Sequence, residues 1–346
     1  MSGRLLRALT ALAALVGCVA AVCPGAAATA RRGAQLTVIA SRTHKSFPEI
    51  LVFGPRGQAL PAIGAPPDIG RARHLAWSPD GREYAYIDPG IDLPELMVAK
   101  AGSSDPRRVA GPSYGDEPVI DPEGDVVYSR IETVLPSPGP VYGPPVPSGT
   151  TLWATPTDGS ERRRLASFGP QLDIHPYSSA SDGTLAFTAS DPRGNGIAIL
   201  SPGKKALRWI VGPGKGEYLS PAISPDGSQV VYLRDRTERR FPHGLRLVST
   251  KLISVPTSGG RTKVLATIVG GARWPSWDPS GSRIAFTALA TRNRGGDFSP
   301  GPHSALMEIN ADGSCPTTVY TAKDGGWVLG GAWRLGKGRG TRPISC

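Results

Sequence analysis

His74, Glu117 and His175 are the residues of this chain whose types and spacing could do chemistry together. Each heads a similar step, His74-Leu75, Glu117-Pro118 and His175-Pro176, and the series continues through Ser220-Pro221, Trp274-Pro275 and Gly330. Two imidazoles and a carboxylate are a donor set that suits a divalent cation. Asp116 and Asp173 lie close enough in sequence to supplement it. The plainer alternative is a polar, water-filled opening with no ion. The sequence favours that alternative, so no cofactor is expected.

A second group is cationic. The stretch 234–250 carries Arg234, Arg236, Arg239, Arg240, Phe241, His243 and Arg246, five arginines in the thirteen residues 234–246, against Asp235 and Glu238. The stretch 291–304 adds Arg292, Arg294, Asp297, Phe298 and His303. The stretch 131–150 is rich in proline, from Pro136 to Pro147, and contains Tyr142. Arginines in such density recognise anions, and Tyr142 and Phe241 could act as apolar anchors beside them. The bland reading is solvated loop growth.

Other chemistry is excluded by context. Gly111-Pro112-Ser113-Tyr114-Gly115 matches G-x-S-x-G, but a nucleophile elbow needs a strand before it and a helix after it. Here Pro112 and Asp116-Glu117-Pro118 flank it. No phosphate-loop, dinucleotide-binding, HExxH or paired-cysteine zinc pattern occurs. Asn310-Ala311-Asp312-Gly313 lacks the regular acidic ligands and distal Glu of a calcium loop.

The elements that must position these residues are repeated. Trp77-Ser78-Pro79-Asp80-Gly81 before Tyr84-Ala85-Tyr86-Ile87 recurs as variants ending in Gly124, Gly183, Gly227 and Gly281, each with an apolar run behind it. Pro fixes φ at the turn entry, Gly tolerates positive φ, and β-branched and aromatic runs suit half-buried strands. Each copy has a second half, such as Leu252-Ile253-Ser254-Val255 before Ser258-Gly259-Gly260 and Lys263-Val264-Leu265. The unit is therefore four strands, one blade of an all-β propeller.

The chain ends supply the remaining blade. Leu36-Thr37-Val38-Ile39 and Ile50-Leu51-Val52-Phe53 look like later strands of a blade lacking its first. Gly331-Ala332-Trp333-Arg334 resembles a first strand with nothing after it. Joining them gives six four-stranded blades in a ring closed by N- and C-terminal strands of one blade; seven follows if 55–73 hides a further set of strands. In such a ring the first strands line the channel, so the His74 series rings its mouth. The loops between second and third strands, which hold the three long stretches above, share one rim with the inter-blade connections.

These repeats resemble the WD-like repeat of TolB-type β-propellers over roughly 35–336. The resemblance implies a cell-envelope setting and a propeller fold. Because such propellers include binding scaffolds, metal-dependent lyases and domains attached to hydrolases, it implies no single activity. The leading reading is a non-enzymatic scaffold that binds an envelope protein or an anionic polymer. The alternative is a channel-centred, metal-assisted lyase or hydrolase acting on a glycan.

Residues 1–30 read as an export signal: Arg4 and Arg7, an apolar run from Leu5 to Val22, then Ala28-Thr29-Ala30 before Arg31-Arg32. Leu15-Val16-Gly17-Cys18 also resembles a lipobox, which would lipidate Cys18 and make that lipid the sole membrane anchor. Residues 31–346 then form a single domain, exported, monomeric, and secreted or anchored. In that setting Cys315 and Cys346 are expected to pair; two free thiols are the other possibility. The net charge is +11, which in an exported protein points to anionic polymers or headgroups. Nucleic acid is not expected, because the basic residues form no motif with interleaved aromatics.

Overall fold

The computed structural model describes residues 32–43, 46–90, 93–112, 117–134, 146–240, 244–289, 304–323, 325–337 and 342–346. The leader, Cys18, Tyr142, Phe241, His243, Arg292, Arg294 and His303 lie outside them. The first strands are β1 (Arg32–Thr43), β2 (Glu49–Phe53) and β3 (Ala59–Ile63). Four-stranded antiparallel sheets then follow in chain order.

Blade two is β4 (Ala76–Trp77), β5 (Glu83–Asp88), β6 (Glu95–Lys100) and β7 (Arg107–Ala110). Blade three is β8 (Val119–Ile120), β9 (Asp125–Val134), β10 (Val146–Pro156) and β11 (Arg163–Phe168). Blade four is β12 (Asp173–Ser179), β13 (Leu185–Asp191), β14 (Gly194–Leu200) and β15 (Arg208–Gly214). Blade five is β16 (Tyr218–Ile223), β17 (Gln229–Arg240), β18 (Gly244–Pro256) and β19 (Lys263–Val269). Blade six is β20 (Gly271–Trp277), β21 (Arg283–Leu289), β22 (Ala305–Asn310) and β23 (Thr317–Thr321). The last strand, β24 (Gly325–Lys337), is the inner strand of blade one, in the order β24-β1-β2-β3.

The ring closes as the orphan strand around Trp333 requires. β24 pairs with β1 from Arg32↔Lys337 to Thr43↔Gly325, with Leu36 opposite Trp333. The stretch 55–73 supplies β3, the outer strand of that same blade, and a short 3-10 turn at Ile69–Arg71. The count is therefore six.

The core lies in the seams between blades. Each neighbouring pair of blades shares an apolar cluster, for example Val127, Leu152 and Ile174 with Phe187 between blades three and four. Another is Leu36, Val38 and Leu306 with Trp333 between blades one and six. Fully burying one such side chain stabilises by about 1.5–3 kcal/mol. Three first-strand tryptophans stitch these seams by donating to the preceding blade. Trp77 Nε1 reaches Thr37 Oγ1 at 2.7 Å, Trp277 Nε1 reaches the Ala222 carbonyl at 3.0 Å, and Trp333 Nε1 reaches the Ser276 carbonyl at 3.2 Å.

The repeated turn works as its residues require. Gly81 has φ +70°, and a Cβ there would lie 2.3 Å from the Leu335 carbonyl oxygen. The position needs glycine both for its conformation and for the approach of β24. Past β24 the tail returns to blade six. Ile344 N donates to Asn310 Oδ1 at 2.7 Å, Asn310 Nδ2 donates to the Ile344 carbonyl at 3.0 Å, and Cys346 is joined to Cys315 with a Cα–Cα distance of 5.2 Å. The expected disulfide thus straps the tail across the closure.

Candidate functional site

Six first strands, β4, β8, β12, β16, β20 and β24, converge on the axis. Proline after the leading residue interrupts the ladder, and the strands bulge at that step. Register shifts fall between Leu219 and Ala222, between Arg273 and Ser276, and opposite Val38/Ile39 at Gly330. At those bulges Ser220, Trp274 and Gly330 have φ of 46°, 53° and 51°. Left-handed backbone at a tryptophan is costly and persists only where the surroundings demand it. Here the demand is visible: the Trp274 indole donates from blade six to Glu117 Oε1 of blade three at 3.0 Å. Blades three and six are opposite one another in a six-membered ring. The indole therefore spans the axis and stoppers the channel at the insertion-bearing rim.

His74 lies beside this stopper. Its Nδ1 is buried without a hydrogen-bond partner, and burial lowers its pKa from 6.5 to about 4. The imidazole is thus neutral near pH 7. Gly330 packs directly on it: a Cβ at Gly330 would fall 2.8 Å from His74 Cα.

His175 corrects the sequence alignment. It pairs opposite Thr188, the rung that Leu219 takes opposite Leu233 and Arg273 takes opposite Thr287. Blade four carries one extra residue before its turn glycine, so His175 stands one rung out of register with His74 and Glu117. Its Nε2 lies 3.1 Å from Asp173 Oδ2, and the hydrogen bond to His175 lowers the Asp173 pKa. Glu117 is held by Trp274 and His175 by Asp173, and His74 is enclosed. Among the described residues no group of three His, Cys, Asp or Glu side chains comes together to hold a metal ion; Asp116 lies outside those residues.

Below the stopper a cavity of about 330 Å³ runs along the axis, lined by His74, Trp77, Asp121, Tyr177, Trp277 and Trp333 among others from all six blades. It extends to the turn prolines Pro79, Pro122 and Pro225. Asp121 is the carboxyl on this wall. Burial raises its pKa from 3.8 to about 6, although its Oδ1 accepts the Asp125 N–H at 2.9 Å.

The rim is built from extended hairpins. The stretch 234–250 is mostly strand rather than loop: β17 and β18 stay in register out to Arg240↔Gly244. The ladder of β9 and β10 likewise reaches Val134↔Val146. Alternation along β17 sorts the charges. Arg234, Arg236 and Glu238 are exposed, whereas Asp235 and Thr237 turn inward. Asp235 is spent on blade six, where Arg273 grips both its oxygens at 3.2 and 2.8 Å and Thr250 Oγ1 adds a third bond at 2.5 Å. With Asp235 buried in that pair, it no longer offsets the surface arginines.

Arg236 pairs with Glu238 at 3.2 Å, both well exposed. Arg234 lies over the Tyr218 ring at 5.7 Å, and Lys251 stands opposite it on β18. Arg239, Arg240 and Arg246 sit on these two strands. The structure thus gathers the arginines of 234–246 on one projecting hairpin. It does not unite the His74, Glu117 and His175 trio. Nothing local in the sequence signals the Arg273–Asp235 pair, and only the oddity of tryptophan within the His74 series points toward the Trp274–Glu117 pair.

No protein-family model matches the sequence, and no curated protein matches it either. Solved structures do. TolB from Acinetobacter baumannii aligns at 15% identity and a TM-score of 0.57, over 87% of this chain and 66% of that one. The fold is that of the TolB-type β-propeller. A protein assigned as TolB from Agrobacterium tumefaciens aligns at 14% identity and 0.53, over 88% of this chain and 99% of the other. A chain of a nidogen–laminin complex aligns at 14% identity and 0.58, over 88% of this chain and all of that one (100%). At such identities the likeness carries the TolB-type fold, and function rests on the residues of this chain.

Proposed function

We propose that this TolB-type propeller is a non-enzymatic binding scaffold of the cell envelope, which uses its insertion-bearing rim to hold a protein or polymer of negative charge. The observation that carries the reading is the projecting β17–β18 hairpin, whose exposed Arg234, Arg236 and Lys251 lie on a face from which Asp235 has been withdrawn. Arginine on a rigid two-stranded ladder is pre-ordered for carboxylate or phosphate, so less side-chain freedom is lost on binding. The stoppered axis favours the rim over the channel at this end. Export rests on the reading of residues 1–30, and the nidogen–laminin neighbour accords with a propeller that meets other proteins.

The test uses a soluble polyanion, dextran sulfate, titrated by calorimetry against the exported chain. Replacing Arg236, Arg239 and Arg240 with Ser should weaken binding while leaving the fold intact; a change at an exposed charge such as Arg236 moves stability by less than ~0.5 kcal/mol. Binding by the parent chain should fade as salt is added. Equal affinity of parent and variant at low salt would defeat the rim reading.

A further inference from the structure

The outer strands of the blades differ in how they protect their free edges, and one is left partly open. β3 contains Pro61, and β15 ends in Gly212-Pro213-Gly214. β7 has four residues and β23 has five. β11 has six, and Lys205 caps its Leu165 carbonyl at 2.6 Å. β19, Lys-Val-Leu-Ala-Thr-Ile-Val, runs for seven residues with neither Pro nor Gly. Prolines, shortness and covering groups are the usual guards against edge pairing. β19 lacks the first two, and cover reaches only its start: Lys263 Nζ donates to the Asp312 carbonyl at 2.8 Å and the Gly313 turn of blade six lies against the bulged Leu265, so the open part of the edge is 266–269.

β19 is also apolar where it meets solvent. Five large apolar residues are exposed among the described ones, and two of them belong to this strand: Val264 at 49% and Val269 at 80%. Around them positive charge predominates, with Glu238 beside Arg236 and Asp312 beside Lys263 as the acidic exceptions. The rungs of blade five run Arg234↔Lys251↔Thr267 and Arg236↔Ser249↔Val269, which puts three cations on the ladders beside the edge. Lys263 begins β19 and Arg261 precedes it, both exposed.

We infer that the free edge of β19 accepts an extended acidic polypeptide segment of a partner as a fifth strand of blade five. Main-chain hydrogen bonds along the edge would supply affinity. Alternate side chains of the added strand would meet Val269 and Thr267, while its carboxylates answer Lys251, Lys263, Arg261 and the hairpin arginines. A second copy of this chain is the poorer occupant, because the chain carries a net +11 and self-pairing would set two cationic blades side by side. The inference rests on the rim reading and narrows it, from any anion to a polypeptide in extended form.

The probe is a synthetic peptide alternating Glu and Val, binding measured by fluorescence anisotropy to the whole exported chain. Two further peptides carry backbone N-methyl groups on one or the other set of alternate residues. A strand pairs through one edge only, so one methylated peptide should lose affinity on the order of tenfold or more and the other should bind as the parent does. Hydrogen exchange should slow across 266–269 with the parent peptide. The double variant Val264→Ser, Val269→Ser, which removes apolar contact without adding charge, should lower peptide affinity but leave dextran sulfate binding unchanged. Equal binding of both methylated peptides, or no binding of any, overturns strand addition. If dextran sulfate still binds through the arginine hairpin in that case, the rim reading survives alone.

Discussion

At the residue scale, the axis holds two groups whose pKa shifts oppose each other. His74 titrates near 4 in the fold against 6.5 when free, so between those values the unfolded chain binds the extra proton. Stability therefore falls as pH drops through that window. Asp121 titrates near 6 against 3.8, so there the folded chain holds the proton and stability rises as pH falls. The slopes cancel over much of their overlap. His74→Gln should expose the Asp121 slope, and Asp121→Asn the His74 slope, read as urea midpoints from weakly acidic to neutral pH. Parallel profiles for both variants and the parent would refute these assignments.

Trp274 supplies a second residue-scale test. Trp274→Phe keeps most of the ring but removes the 3.0 Å bond to Glu117. It should cost about 1–2 kcal/mol in urea unfolding. Glu117→Gln, which still offers an acceptor, should cost less. A Phe variant as stable as the parent would mean that the indole is not anchored across the axis. This bond was illegible in the sequence because it joins residues on opposite blades, and neither its length nor its partner follows from local spacing. The register of His175 is hidden in the sequence for a related reason. Proline after the leading residue looked like the marker of register, while the strand pairing follows the turn glycine and blade four holds one more residue before it.

At the scale of elements, the turn-strand units were legible because each carries its own signals. Pro-Asp-Gly demands a turn, and the apolar run after it demands a half-buried strand, so five of the six blades declared themselves locally. The hairpin of blade five was less so. Its alternation of charged with polar residues carries no apolar face, and such a stretch reads as loop until its pairing from Arg234↔Lys251 to Arg240↔Gly244 is known. The turn glycines provide the matching prediction. Gly81→Ala forces a side chain to φ +70° and 2.3 Å from the Leu335 carbonyl. It should destabilise by about 1–3 kcal/mol, whereas Ala at Gly57, which has φ +74° but nothing within 4 Å, should cost less. Equal midpoints for the two variants would contradict the contact with β24.

At the scale of the whole molecule, the ring is held by its closure. β24 belongs to the chain's last strand and to its first blade, and the tail beyond it is tied back to blade six through Asn310 and the Cys315–Cys346 bond. The sequence separation of 31 residues corresponds to roughly 3–4 kcal/mol in the loop-entropy view. Cys346→Ser should lower the melting temperature under oxidising conditions and make it insensitive to reductant. A variant that melts with the parent would remove the strap from the account.

The proposed function places the work of this propeller at its cationic rim and not in its channel. The most direct measurement is a hydrogen-exchange footprint of the exported chain with and without bound polyanion. The rim reading predicts slowed exchange over 229–256, on the blade-five hairpin, with the axial segments 74–79, 118–122 and 177–181 unchanged. Protection of the axial segments with the hairpin unaffected would contradict it and move the site to the channel.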